Sequence, residues 1–171
     1  MAMVGEEMHH PWSLQVSLRL GEHAWSDLDV WLEDKHYEYC LTHTFSSPLT
    51  EIANGLRALS QDEESVSFTL HEEPGSHVWS LKQIVDAKHL LAVTISSYGE
   101  NIIGGEPALE SAFEILTFKV ARDFFIETFT IELNKIAAQL RYARFAKNRD
   151  ASSFPWAICL ELNKNLVKRA E

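Results

Sequence analysis

Long apolar runs are missing from this 171-residue chain. None approaches the ~18 residues that a membrane-spanning helix needs. Cysteine is nearly missing too, with Cys40 and Cys159 the only two. They form neither a disulfide framework nor a zinc spacing, so each reads as a small apolar side chain. The opening, MAMVGEEMHHPW, carries acids and no apolar stretch. That is not the pattern of a secretory leader, and a cytoplasmic location is expected. Basic residues are outnumbered, at 15 against 25 acids for a formal net charge of −10. Such a balance argues against broad affinity for nucleic acid or anionic membranes. There is no G-x-S-x-G, H-E-x-x-H, phosphate loop or G-x-G-x-x-G, so the common signatures of acyl, metal-hydrolytic and nucleotide chemistry are lacking. No cofactor, metal or catalytic residue is expected.

What is present belongs to a globular protein. Apolar residues make up 46% and charged residues 23%, and five Trp with nine Phe supply enough aromatic surface for a core. The length fits one domain over 1–171, with a flexible N-terminus at 1–11 and a C-terminal extension at 148–171 carrying a short helix. The charge is uneven. Residues 1–110 hold five Lys/Arg against eighteen Asp/Glu, and residues 111–171 hold ten against seven. An acidic first part attracts a basic partner, or simply keeps the chain soluble.

Periodicity gives the elements. Leu14, Val16, Leu18 and Leu20 alternate with polar residues, which predicts a half-buried strand over 12–20. Strands follow over 25–34 and 36–45, an antiparallel meander. The period then changes: Leu49, Ile52, Ala53, Leu56 and Leu59 share a helical face, with Ser47 as N-cap and Pro48 at the first helical position. Glu51 falls in the first turn, where the helix dipole favours an acid. Strands are predicted over 65–71, 77–85, 89–98 and 112–121, and 99–111 forms a long loop. Phe125, Phe129, Leu133, Ile136 and Leu140 predict one helix over 123–147, capped by Asp123, although FFIETFTI also suits a strand. Pro155 opens a terminal helix. The expected fold is α+β: an antiparallel sheet of six to seven strands, a short helix after the first strands, and a long C-terminal helix packed on one face.

Three stretches merit a chemical reading. FTLHEEPGSHVWSL holds two histidines and two glutamates. Pairing Leu70 with Trp79 and Phe68 with Leu81 puts the apolar residues on one face. That register sets Glu72 opposite His77 and His71 opposite Val78, with Pro74-Gly75 central in the turn. The histidines then face apart, which opposes chelation. In AWSDLDVWLED the odd positions Trp25, Asp27, Asp29, Trp31 and Glu33 share one strand face, a mixed acidic and aromatic stripe. Trp favours binding hot spots and acids steer a basic partner; the alternative is that a helix covers the indoles. In RYARFAKNR, Arg141, Arg144 and Lys147 or Asn148 follow one helical face, where bases suit a helix C-terminus.

The order of elements, from SSPLTEIANGLRAL through SVSFTLHEEPGSHVWSL and HLLAVTISSY to AFEILTFKV and FFIETFTIELNKI, resembles the small immunity proteins of bacterial wall-associated polymorphic toxins. The likeness covers about 25–147; the segment 148–171 departs from it, and it carries no catalytic motif. It implies a protein that binds and neutralises a toxin domain. The expected function is therefore non-enzymatic protein binding, with Trp25, Asp27, Asp29, Trp31 and Glu33 as the contact and a basic protein as partner. Two rivals remain: a small-ligand or metal-dependent enzyme using the 71–77 hairpin and the 99–111 loop, and a structural protein that self-associates through its acidic stripe and basic helix end. Either a monomer or a homodimer is compatible with these readings.

Overall fold

A computed structural model describes residues 13–103 and 111–170, with side chains to 167. The expected flexible N-terminus, 1–11, lies outside the described residues. The chain begins with a meander of three strands, β1 (Leu14–Leu20), β2 (Trp25–Leu32) and β3 (Lys35–Thr42). Helix α1 (Pro48–Ser60) follows, then a second meander of β4 (Ser65–Glu72), β5 (Gly75–Ile84), β6 (Ala87–Tyr98) and β7 (Glu114–Ala121). Helices α2 (Arg122–Leu140), α3 (Ala143–Ala146) and α4 (Trp156–Ala170) complete it. The fold is α+β, as expected, but the strands form two antiparallel sheets, β1-β2-β3 and β4-β5-β6-β7, rather than one sheet of six or seven.

Side chains, not a backbone ladder, join the two sheets where β3 meets β4. At the edge of β3 the backbone N–H of Cys40 donates to a side chain, Glu72 Oε1, at 2.8 Å. At this point of the β3 edge the acceptor is a carboxylate rather than the backbone carbonyl of a further strand. Next to it, the hydroxyls of Thr42 and Thr44 donate to Glu73 Oε1 at 2.8 and 2.9 Å. The tip of the β4–β5 hairpin is therefore tied to β3 through side chains.

One apolar core joins both sheets and the helices. Leu18, Leu28, Leu41, Leu56, Leu70, Trp79 and Phe129 all belong to it. The 3.6-residue pattern of α1 is reproduced, with Leu49, Ile52, Ala53, Leu56 and Leu59 buried. Ser47 is the N-cap by backbone position, but its side chain makes no capping bond. The ambiguous FFIETFTI is helical: it buries Phe125, Ile126 and Phe129 at helical spacing, in line with Leu133 and Ile136. Asp123 lies inside that helix, and Ala121 holds the N-cap position.

The single helix expected over 123–147 is instead broken. Tyr142 is extended, with φ −92 and ψ 116, between α2 and α3. No Gly or Pro marks the site. Tertiary anchoring overrides helix propensity here. Phe145 packs against the core, and Arg149 donates to the carbonyls of Leu20 and Phe145 at 2.9 and 2.7 Å. Arg141, Arg144 and Lys147 consequently do not share one helical face.

Gly55 is buried on α1, and a Cβ built there would meet two ring carbons of Phe68 at 2.8 Å. Phe68 cannot easily withdraw, because it stacks on Trp79 with centroids 5.8 Å apart. Glycine to alanine inside a helix normally stabilises. Here Gly55→Ala is expected to destabilise by about 1–3 kcal/mol through overpacking, read as a lower denaturant midpoint at unchanged slope; an equal or higher midpoint would contradict the close helix–sheet contact.

Candidate functional site

The β4–β5 hairpin comes first, since its register sets its chemistry. Phe68 pairs with Trp79, Leu70 with His77, His71 with Ser76 and Glu72 with Gly75. This is two residues from the expected pairing. The turn closes on Glu73-Pro74, joined by a cis peptide bond, and Gly75 adopts φ +139. A Cβ at Gly75 would lie 3.0 Å from the Tyr98 carbonyl oxygen, so both conformation and space favour glycine. A shift of two preserves side-chain facing. His77 therefore shares a face with Leu70 and Trp79, and His71 lies on the other, as the sequence predicts.

The two histidines have different surroundings. His77 is 6% exposed; its Nδ1 lies 2.9 Å from Ser97 Oγ, and its Nε2 lies 3.2 Å from Glu72 Oε2. Tyr39 meets the ring edge-on at 4.6 Å. The Glu72 pairing with His77 predicted from sequence is thus present, as a diagonal contact rather than a directly opposed pair. Burial alone would raise the Glu72 pKa, but the close approach of His77, with the Cys40 N–H, holds it below the usual glutamate range. Burial, followed by the charge of Glu114, pushes the Tyr39 phenol upward. The Ser97–His77–Glu72 order imitates a nucleophilic triad, yet Ser97 is 2% exposed in mid-sheet. A sealed hydroxyl cannot attack a substrate, so this run of contacts is architectural.

His71 sits on the far face. Its Nδ1 lies 3.1 Å from Ser76 Oγ, which also accepts the Ile102 N–H at 2.9 Å. Burial lowers its pKa, partly offset by a hydrogen bond with Asn101. The Phe45 ring lies 5.3 Å away. Beside them is a cavity of about 410 Å³, lined by Phe45, Phe68, His71, Ile102, Ile103 and Glu51 among others. It joins the hairpin to the start of the 99–111 loop, the pairing of segments that the small-ligand reading invoked; residues 104–110 lie outside the described residues. Glu51, which sequence reasoning placed only as a helix-start acid, has its pKa raised by burial. Its role in a cavity has no sequence signal, because it depends on where β4 meets α1.

The stripe on β2 is real over four of its five residues. Trp25, Asp27, Asp29 and Trp31 occupy alternate positions opposite Thr42, Cys40, Glu38 and His36 of β3. Across β1, Asp27 and Asp29 oppose Arg19 and Ser17. Glu33 is corrected: β2 stops at Leu32, and Glu33 sits in the turn with φ +57. The extensive helix contacts go to β1, β4, β6 and β7, not to β2, and both indoles are half-buried.

Neighbours overlooked in the sequence organise this face. Asp29 is 7% exposed; it receives Arg19 Nη2 at 3.3 Å and His36 Nε2 at 2.8 Å. Arg19 Nε also approaches Asp27 at 3.6 Å. His36 lies flat on Trp31, with centroids 4.6 Å apart and planes 6° apart. A carboxylate thus fixes an imidazole, and the imidazole fixes an indole. The parity of Arg19 and His36 within their strands could have revealed them, given the two-residue turn at Glu33-Asp34.

Among the described residues no group of three or more His, Cys, Asp or Glu is arranged to hold a metal ion. Cys40, exposed on the same face, has its thiol pKa raised by desolvation, then by Asp27, Glu72 and Glu38. Since the thiolate is the reactive form, Cys40 is expected to alkylate with iodoacetamide at neutral pH more slowly than free cysteine; a faster rate would contradict the anionic surroundings. Glu72 gives a pH test. Its folded pKa is depressed, so its stabilisation is present above the unfolded glutamate pKa and lost as pH falls through the folded one. Glu72→Gln should cost about 1–3 kcal/mol at neutral pH, with the gap to wild type narrowing on acidification in denaturant titrations. No family model matches the chain, and no curated protein or solved structure matches it.

Proposed function

We propose that the chain acts by binding a basic protein surface through the outer face of β1-β2-β3, in the manner of an immunity protein that neutralises a toxin domain. The observation that carries this reading is the Asp29–His36–Trp31 assembly on β2 and β3, strands with which the helices make no extensive contact. An aromatic anchor held in place before contact loses less side-chain freedom on binding, and Trp is the residue most enriched at hot spots. Trp25 and Trp31 are separated along β2 by six residues, about 20 Å of strand, a span that fits an ordinary protein footprint.

Charge supports a basic partner. Asp27, Asp29 and Glu38 share the face with one arginine, Arg19. The remaining negative potential steers a cationic surface and sets the rate of encounter. Self-association through a basic helix end is disfavoured, because Arg141, Arg144 and Lys147 are split by the break between α2 and α3.

The test is direct. A secreted toxin domain encoded immediately upstream would be titrated calorimetrically with the wild-type chain and with variants. Trp31→Ala should weaken binding by about 2 kcal/mol, roughly thirty-fold, with the circular dichroism spectrum unchanged. Glu38→Lys should slow association and reduce its salt dependence. Equal affinity for Trp31→Ala would remove this face as the contact.

A further inference from the structure

The cavity beside His71 is separate from the β1-β2-β3 face and has its own chemistry. Its described walls are mixed: the hydrocarbon side chains of Phe45, Phe68, Ile102 and Ile103 alternate with the polar Ser46, Thr69, Glu51 and His71. Its volume of about 410 Å³ falls in the range of small-molecule sites. Among the described residues that line it are one carboxyl group, Glu51, and one imidazole, His71, with no Lys or Arg. Among the described residues Glu51 makes no ion pair and no side-chain hydrogen bond.

We propose that this cavity binds a small organic monocation, an aryl- or alkylammonium group, with Glu51 as its counter-ion and the phenyl and isoleucine side chains as the seat for its hydrocarbon.

Each alternative charge class meets an obstacle that a cation does not. An anion would be brought against the Glu51 carboxylate. A neutral apolar molecule would strip water from that carboxylate and give it nothing in return, which is costly. A cation supplies the missing partner in a setting of lowered dielectric, where the pairing is stronger than in water. Phe45 and Phe68 add ring faces that attract ammonium groups. His71 does not oppose the cation: its Nδ1 is engaged with Ser76, and burial keeps the ring in its neutral form at neutral pH. Phe45 remains 42% exposed and is placed to fold over a ligand's hydrocarbon. The net charge of −10 raises the local concentration of cations around the whole chain.

The experiment uses benzylammonium as probe, with benzyl alcohol and phenylacetate as neutral and anionic analogues of similar shape. Amide resonances of the full-length, isotope-labelled chain would be followed during titration. Benzylammonium should produce saturable shifts at Thr69, His71 and Ile102. Benzyl alcohol should bind at least about ten-fold more weakly, a difference of one charge-assisted contact, and phenylacetate should not bind there. Glu51→Gln should lose about ten-fold for benzylammonium while leaving benzyl alcohol unchanged. Phe45→Ala, at an exposed position, should weaken binding with the fold retained. Equal binding of the alcohol, full affinity in Glu51→Gln, shifts confined to other residues, or no saturable shift would each overturn the proposal. The outcome is independent of toxin binding through β2, which uses different residues.

Discussion

The carboxylate of Glu72 holds the two sheets in relation to one another. A strand edge presents backbone groups that must be satisfied, and at β3 one of them is met by a side chain 32 positions away in sequence. The other oxygen of the same carboxylate faces His77, so one group serves a backbone donor and an imidazole together. Bonds to an ionised acceptor are stronger than neutral ones, which suits a joint made of few contacts. From His77 the contacts pass through Tyr39 to Trp79, and from Trp79 to Phe68 and Phe129. The seam between sheets, the face of α1 at Gly55 and the face of α2 at Phe129 all meet on this run of rings.

The same device recurs where the acids are placed. A net charge of −10 does not translate into one anionic patch. Asp29 is answered by Arg19 and His36, Asp62 by Arg122, Glu22 by Arg149, and Glu72 by His77. What is left is selective. On the outer face of β2 the acids outnumber the one arginine and surround two indoles, an arrangement suited to a protein surface. In the cavity Glu51 is the one acid among the described lining residues and lies beside phenyl and isoleucine side chains, an arrangement suited to a small molecule. The two regions differ in whether the carboxylate already has its partner.

Much of the fold was legible because alternation and 3.6-residue spacing record which side of an element is buried. Leu14 to Leu20, the face of α1 and the sidedness of the β4–β5 hairpin all followed from that. The split into two sheets was not legible, because it turns on whether β3 and β4 pair through their backbones, which no local pattern records; here Cys40 meets the Glu72 side chain instead. The break after Leu140 was hidden for a similar reason: Arg149 and Phe145 pull the chain away from a helix that its own residues would continue. Glu33 was misplaced because alternation was carried one step past the turn. In the candidate regions, β2 gave its four stripe residues by parity alone. Arg19 and His36 needed the pairing of strands, and Glu51 needed the packing of α1 on β4.

Strand β7 ends at Ala121 and α2 begins at Arg122, with no connecting residue between them. A junction without a loop has no slack. An inserted residue before it would rotate the helix by about 100° relative to its seat and flip the strand's facing, so Phe125, Phe129 and Leu133 would leave the core together. An added residue is better accommodated at a place such as the exposed turn at Val85-Asp86. Strand β7 and α2 therefore behave as a unit of fixed length, and the position of α2 is set by the register of the sheet that feeds it.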